Sequence, residues 1–197
     1  IFVVPVINLI FCRRTSAVQW KDNHSISPKF INYKINEVKA MSLYEYDETL
    51  KDLIFKYKGC FDIELKSVFT SRYLLYLKLK YFGYKIVTIP SYITDDRIRG
   101  FNHVEEIAKL LNLPMLTVLE KTEKIKQADL GYKDRQKIGN ILIIKNKETI
   151  YNQKILLMDD ICTTGASLKA ASKLILECKP KKLQIFTIAK NVMKRTQ

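Results

Sequence analysis

Residues 155–167 read Ile-Leu-Leu-Met-Asp-Asp-Ile-Cys-Thr-Thr-Gly-Ala-Ser, an apolar run that ends in two consecutive carboxylates and a turn of small, hydroxylated residues. A short apolar run bounded by turn residues is a strand covered on both faces, and a strand entering a helix through a tight turn is half of a βαβ unit. Similar runs recur at 85–89, which stops at Pro90, at 141–144 and at 183–189, with a weaker one at 113–118. Helical patterns stand between them at 103–111 and 167–178. Asn102 is a good N-cap for the first of these, with Glu105 three residues on as a capping-box partner. Strands alternating with helices predict an α/β fold around a Rossmann-like, largely parallel sheet.

The first half of the chain reads differently. Leu50, Leu53, Ile54 and Tyr57 fall at helical spacing and Gly59 ends that helix; a second helix is expected at 62–69. The run SRYLLYLKLKYF alternates like a strand at Leu75, Leu77, Leu79 and Tyr81, but its length and lack of β-branched residues favour a helix closed by Gly83. Residues 12–40 show no sustained period and read as loop or loose extension. The expected organisation is an N-terminal extension at 1–43 and one domain at 44–197, whose N-terminal part is helical. The connection 120–140 exceeds ordinary loop length and reads as either a functional lid or a disordered segment.

Composition bounds the function more loosely. Thirty-four Lys plus Arg against twenty Asp plus Glu leave a net charge of +14, which favours anionic partners: nucleic acid, phosphorylated metabolites or an acidic membrane surface. A lysine-, isoleucine-, asparagine- and tyrosine-rich chain is also what an AT-rich genome produces, so the charge speaks to association and not to fold. Cys12, Cys60, Cys162 and Cys178 form no CxxC pair and have no histidine at ligand spacing, so neither a zinc site nor a disulfide framework is complete, and a reducing cytoplasm is the expected location. The opening IFVVPVINLIF is far short of the roughly 20 apolar residues of a membrane span. It also lacks the basic stretch that precedes a signal peptide's core.

The chemistry concentrates after the apolar run. In parallel α/β sheets ligands bind beyond the carboxyl ends of the strands. Backbone N–H groups of Thr164, Gly165, Ala166 and Ser167, with the Thr163, Thr164 and Ser167 hydroxyls, can surround a phosphate at a helix N-terminus. Asp159 and Asp160 just upstream can accept hydrogen bonds from ribose hydroxyls. No GxxxxGK[ST] loop and no GxGxxG turn occurs, so the layout suits a sugar phosphate and not a Walker-type nucleotide site. The bland reading, an acidic strand end followed by an ordinary helix cap, leaves both acids and the Thr-Thr-Gly-Ala-Ser run unexplained.

LLMDDICTTGAS resembles the phosphoribosyl pyrophosphate (PRPP) motif of type I phosphoribosyltransferases. Arg99-Gly-Phe-Asn-His103 is similar to the RGFNQ signature of the ComF (late competence protein, GntX-like) family. Tyr57-Lys-Gly59 echoes that family's KYxGD element, and Gln127, Leu130 and Arg135 match its Q-x-x-L-s-x-x-x-R stretch. Two departures stand out. The family's N-terminal cysteine-rich zinc finger has only Cys12 to represent it, which makes 1–43 a degenerate or truncated zinc-finger region, and the family's Asn after the matched Arg falls on Ile138.

The resemblance implies a parallel sheet with a flexible hood and a pocket for PRPP with Mg²⁺. In it Asp159 and Asp160 would hold the ribose hydroxyls and Thr163 to Ser167 the 5′-phosphate. A nitrogen nucleophile would displace pyrophosphate, with Arg99 first and Arg135 second as the groups neutralising the leaving group. Asn102 and His103 are further hood or pyrophosphate candidates; their bland alternatives are a helix cap and an exposed first-turn residue. The lysines at 121, 124, 126, 133 and 137 would close over the site. The expected role is a PRPP- or nucleotide-binding protein in DNA uptake during natural transformation, with other competence proteins as partners and turnover left open. The alternative is a non-catalytic module for single-stranded DNA, using the basic surface and Tyr57, Tyr84, Tyr92, Phe101 and Tyr132 as stacking residues.

Overall fold

The structure, a computed structural model, describes residues 29–59, 66–91, 101–121 and 142–192. Its main sheet contains β1 (Ile31–Ile35), β2 (Val38–Glu45), β3 (Lys85–Thr88), β6 (Lys154–Cys162) and β7 (Lys182–Lys190). They lie in the order β1-β2-β7-β6-β3. Contacts β2 to β7, β7 to β6 and β6 to β3 are parallel, and β1 alone pairs antiparallel, with β2. A separate antiparallel pair joins β4 (Leu119–Lys121) to β5 (Leu142–Ile144). The α/β class and the parallel sheet stand as expected.

Helices cover both faces. On one side lie α1 (Glu48–Gly59), α2 (Lys66–Thr70), α3 (Leu74–Lys80) and α4 (His103–Lys109), packed with Leu156 and Met158 of β6. On the other lies α5 (Ala166–Glu177), packed with Ile155 and Leu157. The alternation follows from the two-residue period of a strand, and coverage of both faces explains why the run 155–158 is apolar at every position. In α3 only Leu77 is buried, while Leu75 and Leu79 are exposed. The strand-like alternation of its leucines was therefore not a sheet face.

Three expectations need correction. Residues 29–40 are not a loop: β1 and β2 form a hairpin that joins the main sheet, and a division at 43/44 cuts through β2. The first elements described are thus strands, ahead of the helices. The turn is Asn36-Glu37, both with positive φ (47° and 61°), the geometry that matches strand twist in a two-residue hairpin. Asn36 Nδ2 donates to the Lys169 carbonyl at 2.9 Å and to Ser172 Oγ at 3.1 Å, tying this turn to α5. The run 113–118 supplies only a bridge from Met115 to Ile86; Pro114 has no N–H to donate, and the strand begins at Leu119. Finally, β6 continues past Met158 to Cys162, because β7 runs beside it and pairs Asp159 with Thr187, Ile161 with Ala189 and Cys162 with Lys190.

Candidate functional site

Parallel pairing brings the carboxyl ends of β3, β6, β7 and β2 to one edge of the sheet, and the Ile89 amide extends it by donating to the Met158 carbonyl at 2.9 Å. Asp159 and Asp160 lie at this edge but inside β6. Asp159 is half-buried, and its Oδ1 accepts the Asp160 amide at 2.9 Å. Asp160, read from the sequence as a group at the end of its strand, is 8% exposed and its Oδ1 accepts the Ile161 amide at 2.6 Å. Its other oxygen, Oδ2, lies 3.2 Å from His103 Nε2. Successive strand residues point to opposite faces, so Asp160 faces the α4 layer while Asp159 follows the parity of Leu157.

The His103 ring is placed by what surrounds the start of α4. Asn102 Oδ1 accepts the amides of Val104 and Glu105, each at 3.1 Å, and Asn102 Nδ2 donates to Ser91 Oγ at 3.1 Å. Asn102 is therefore the N-cap that its position predicted, which satisfies two of the helix's orphan donors. The Tyr57 hydroxyl donates to the His103 carbonyl at 2.8 Å. Burial raises the Tyr57 pKa strongly, and the nearby Glu106 carboxylate adds to that. Tyr57 is also packed against Phe69 and Phe101. His103 is only 7% exposed, so the bland alternative of an exposed first-turn residue does not hold: its imidazole points inward, at Asp160.

Beyond Cys162 the chain makes the turn that starts α5. Thr163, Thr164 and Ala166 are exposed, Ser167 is half-buried and Gly165 is buried. Gly165 has φ +74°, and a Cβ there would come within 3.3 Å of Ile35 Cδ1 and 3.6 Å of Cys162 Sγ. Glycine is thus required twice over, for the left-handed backbone and for the approach of β1. The ladder of α5 begins with the Lys169 amide donating to the Gly165 carbonyl at 2.8 Å. Cys162 is buried beneath the turn and packs within the α5-side core, which fits a space-filling role.

Two residues of this neighbourhood were missed in the sequence. Lys190, the last residue of β7, is the register partner of Cys162, and its Nζ lies 4.3 Å from the centre of the Tyr33 ring. The Tyr33 hydroxyl, bonded to Thr187 Oγ1 at 3.0 Å, has its pKa pushed up to about 12, chiefly by burial. Only the pairing of β1, β2 and β7 brings these residues to the turn; the one local signal was the apolar-polar alternation of Ile31 to Ile35. Arg99, Gln127, Leu130, Arg135, Tyr92, Tyr132 and the lysines at 124, 126, 133 and 137 lie outside the described residues, as do Cys12 and Cys60; Lys121 ends β4. Of the suggested stacking residues, Tyr57 and Tyr84 are core, so neither presents an open ring face, and Phe101 is half-buried against Tyr57. Among the described residues no group of three or more His, Cys, Asp or Glu side chains could hold a metal.

A family model described as "Phosphoribosyl transferase domain" matches residues 98–196. The chain is 34% identical over 155 residues to competence protein ComFC of Streptococcus pneumoniae, covering 78% of this chain and 69% of that protein. The chain belongs to the ComF family. A second member, competence protein ComFC of Bacillus subtilis, is 28% identical over 138 residues, which are 69% of this chain and 57% of that one. The chain thus spans little more than half to about two thirds of the length of these two ComF relatives. Among solved structures, a hypoxanthine phosphoribosyltransferase from Staphylococcus aureus is 17% identical with a TM-score of 0.42 and covers 68% of each chain. In this ComF-family chain the two carboxylates and the glycine turn stand inside the matched domain.

Proposed function

We propose that this chain binds PRPP, or a nucleotide carrying the same ribose 5-phosphate, at the edge formed by Asp159 to Ser167. The observation that supports this most directly is the continuity of that segment: two carboxylates at the end of a parallel strand run straight into an open turn at the start of a twelve-residue helix. Ribose hydroxyls would donate to Asp159 and Asp160. The 5′-phosphate would accept from the amides of the Thr164 to Ser167 turn, where the helix dipole favours an anion. The nearby acids suit hard oxygen chemistry, and Mg²⁺ arriving with PRPP would be held mostly by the ligand's pyrophosphate oxygens. When bound, it would neutralise that leaving group.

Transfer would break the bond from the anomeric carbon to pyrophosphate and form one to a nitrogen nucleophile. A carboxylate beside the ribose favours the positive charge that develops on the sugar. Arg99 and Arg135 remain the proposed partners of the pyrophosphate, with the connection 120–140 as the hood. The competence names of the ComFC relatives extend the proposal to DNA uptake in the cytoplasm, in company with other competence proteins.

The test is a calorimetric titration with PRPP, with and without Mg²⁺. Saturable, Mg²⁺-dependent binding is expected. Asp159→Asn should weaken it by about ten-fold or more with an unchanged melting temperature, since a hydrogen bond to a charged group is worth about that much. Absence of binding up to millimolar PRPP would overturn the proposal.

A further inference from the structure

We infer that His103 is a positioning residue for Asp160, the donor that orients this carboxylate toward the ligand edge; the functional half of this inference rests on the PRPP reading above. A carboxylate as buried as Asp160 is costly unless its oxygens are hydrogen-bonded. One oxygen is served by the Ile161 amide at 2.6 Å. The other lies 3.2 Å from His103 Nε2, an ion-pair contact without the alignment of a hydrogen bond, and both side chains are about nine-tenths buried, 9% and 11% exposed.

The imidazole has little freedom to leave. Its residue is the first of α4, the preceding Asn102 is fixed as the cap of that helix, and its own carbonyl takes the hydroxyl proton of Tyr57, which is itself 1% exposed. The start of one helix thus carries an imidazole N–H to the end of a strand from a different part of the sequence, supported by Tyr57 of α1. A donor set in this way fixes the carboxylate's rotamer before a ligand arrives, which lowers the ordering cost of binding. On this account His103 does not reach the pyrophosphate; it acts through Asp160.

The experiment has two arms on the full chain. The chain holds two histidines, His24 and His103, so ¹⁵N-histidine labelling in a His24→Gln background leaves one ring to follow. Asp160→Asn should move the His103 ring ¹⁵N signals; signals that stay in place overturn the pair. In the second arm, His103→Leu should weaken Mg-PRPP binding by about ten-fold, the size of one hydrogen bond to a charged group. His103→Gln, whose amide Nε2 also donates, should stay within about three-fold of the parent, less than half that free energy on the logarithmic scale. Equal affinity of His103→Leu and the parent, or equal weakness of the Leu and Gln variants, overturns the positioning role. If the parent chain itself binds no PRPP, the proposed function fails, while the ¹⁵N arm still decides whether the imidazole and carboxylate are coupled.

Discussion

Gly165 offers the sharpest test of how the turn is built. Gly165→Ala places a Cβ on a backbone held at φ +74°, which costs an L-residue about 1–2 kcal/mol. That Cβ also sits 3.3 Å from Ile35 Cδ1, so the end of the isoleucine must give by a few tenths of an ångström; a contact of this kind adds up to about 1 kcal/mol, the low end of overpacking costs. The sum, about 2 kcal/mol, corresponds to a fall in melting temperature of about 4–8 °C in a domain of this size. Gly83 is the control. Its φ is +77° and nothing lies within 4 Å of an added Cβ, so Gly83→Ala should cost the conformational part alone, about 1–2 kcal/mol. Ile35→Val deletes Cδ1 and should make Gly165→Ala milder by about 0.5 kcal/mol or more in a double-mutant cycle, whereas it should leave Gly83→Ala unchanged. The assay is reversible thermal unfolding of the parent, the three single variants and the two doubles. A Gly165→Ala cost below that of Gly83→Ala, or a zero coupling to Ile35→Val, would refute both the left-handed turn and the packing of β1 against it.

Two further outcomes follow from titrating groups. Burial pushes the Tyr44 pKa up to about 12, so the unfolded chain releases this proton from about pH 10 while the fold retains it; stability from this group is whole below pH 10 and is lost as pH rises toward 12, at up to about 1.4 kcal/mol per pH unit. Tyr44→Phe should be less stable by about 1 kcal/mol at neutral pH, having lost its hydrogen bond to the Phe69 carbonyl, yet should resist alkaline unfolding better than the parent; an unchanged alkaline slope would contradict this. Glu106 accepts from Lys109 at 2.5 Å and from Lys66 at 2.8 Å, and these bonds hold its pKa below the usual carboxylate value. Its contribution is present in full above about pH 4.5 and is lost as pH falls through its lowered pKa, so Glu106→Gln should cost about 1 kcal/mol at pH 7 and progressively less in acid, measured by urea unfolding.

Much of this molecule was legible from local pattern, because its strongest signals are local. Asn102 caps α4 because a short side chain before a helical run has the first amides within reach. Gly83 and Gly165 close or open helices because a positive φ suits no other residue as well. The apolar runs at 85–89, 155–158 and 183–189 became parallel strands because continuous hydrophobicity is satisfied by cover on both faces. Asp159 to Ser167 could be singled out for the same reason: its chemistry is contiguous in the chain.

What escaped depends on pairing across the sheet. Asp160 seemed a strand-end residue until β7, running alongside to Lys190, drew the ladder past it and buried it. His103 seemed as able to face water as not, since a first-turn position does not say which way it points; the answer came from Tyr57 and Asp160, forty-six and fifty-seven residues away. The β1-β2 hairpin was hidden because Asn36-Glu37 lacks the glycine that usually marks such a turn, and Lys190 meets Tyr33 only because β2 carries β1 to the far side of β7. By itself, the sequence determined most of the parallel strands and the helices that cover them, and singled out the contiguous segment Asp159 to Ser167 as the candidate site. The tertiary structure alone decided which of those groups are buried and what they face, because burial and partner are set by neighbours that the chain brings together only on folding.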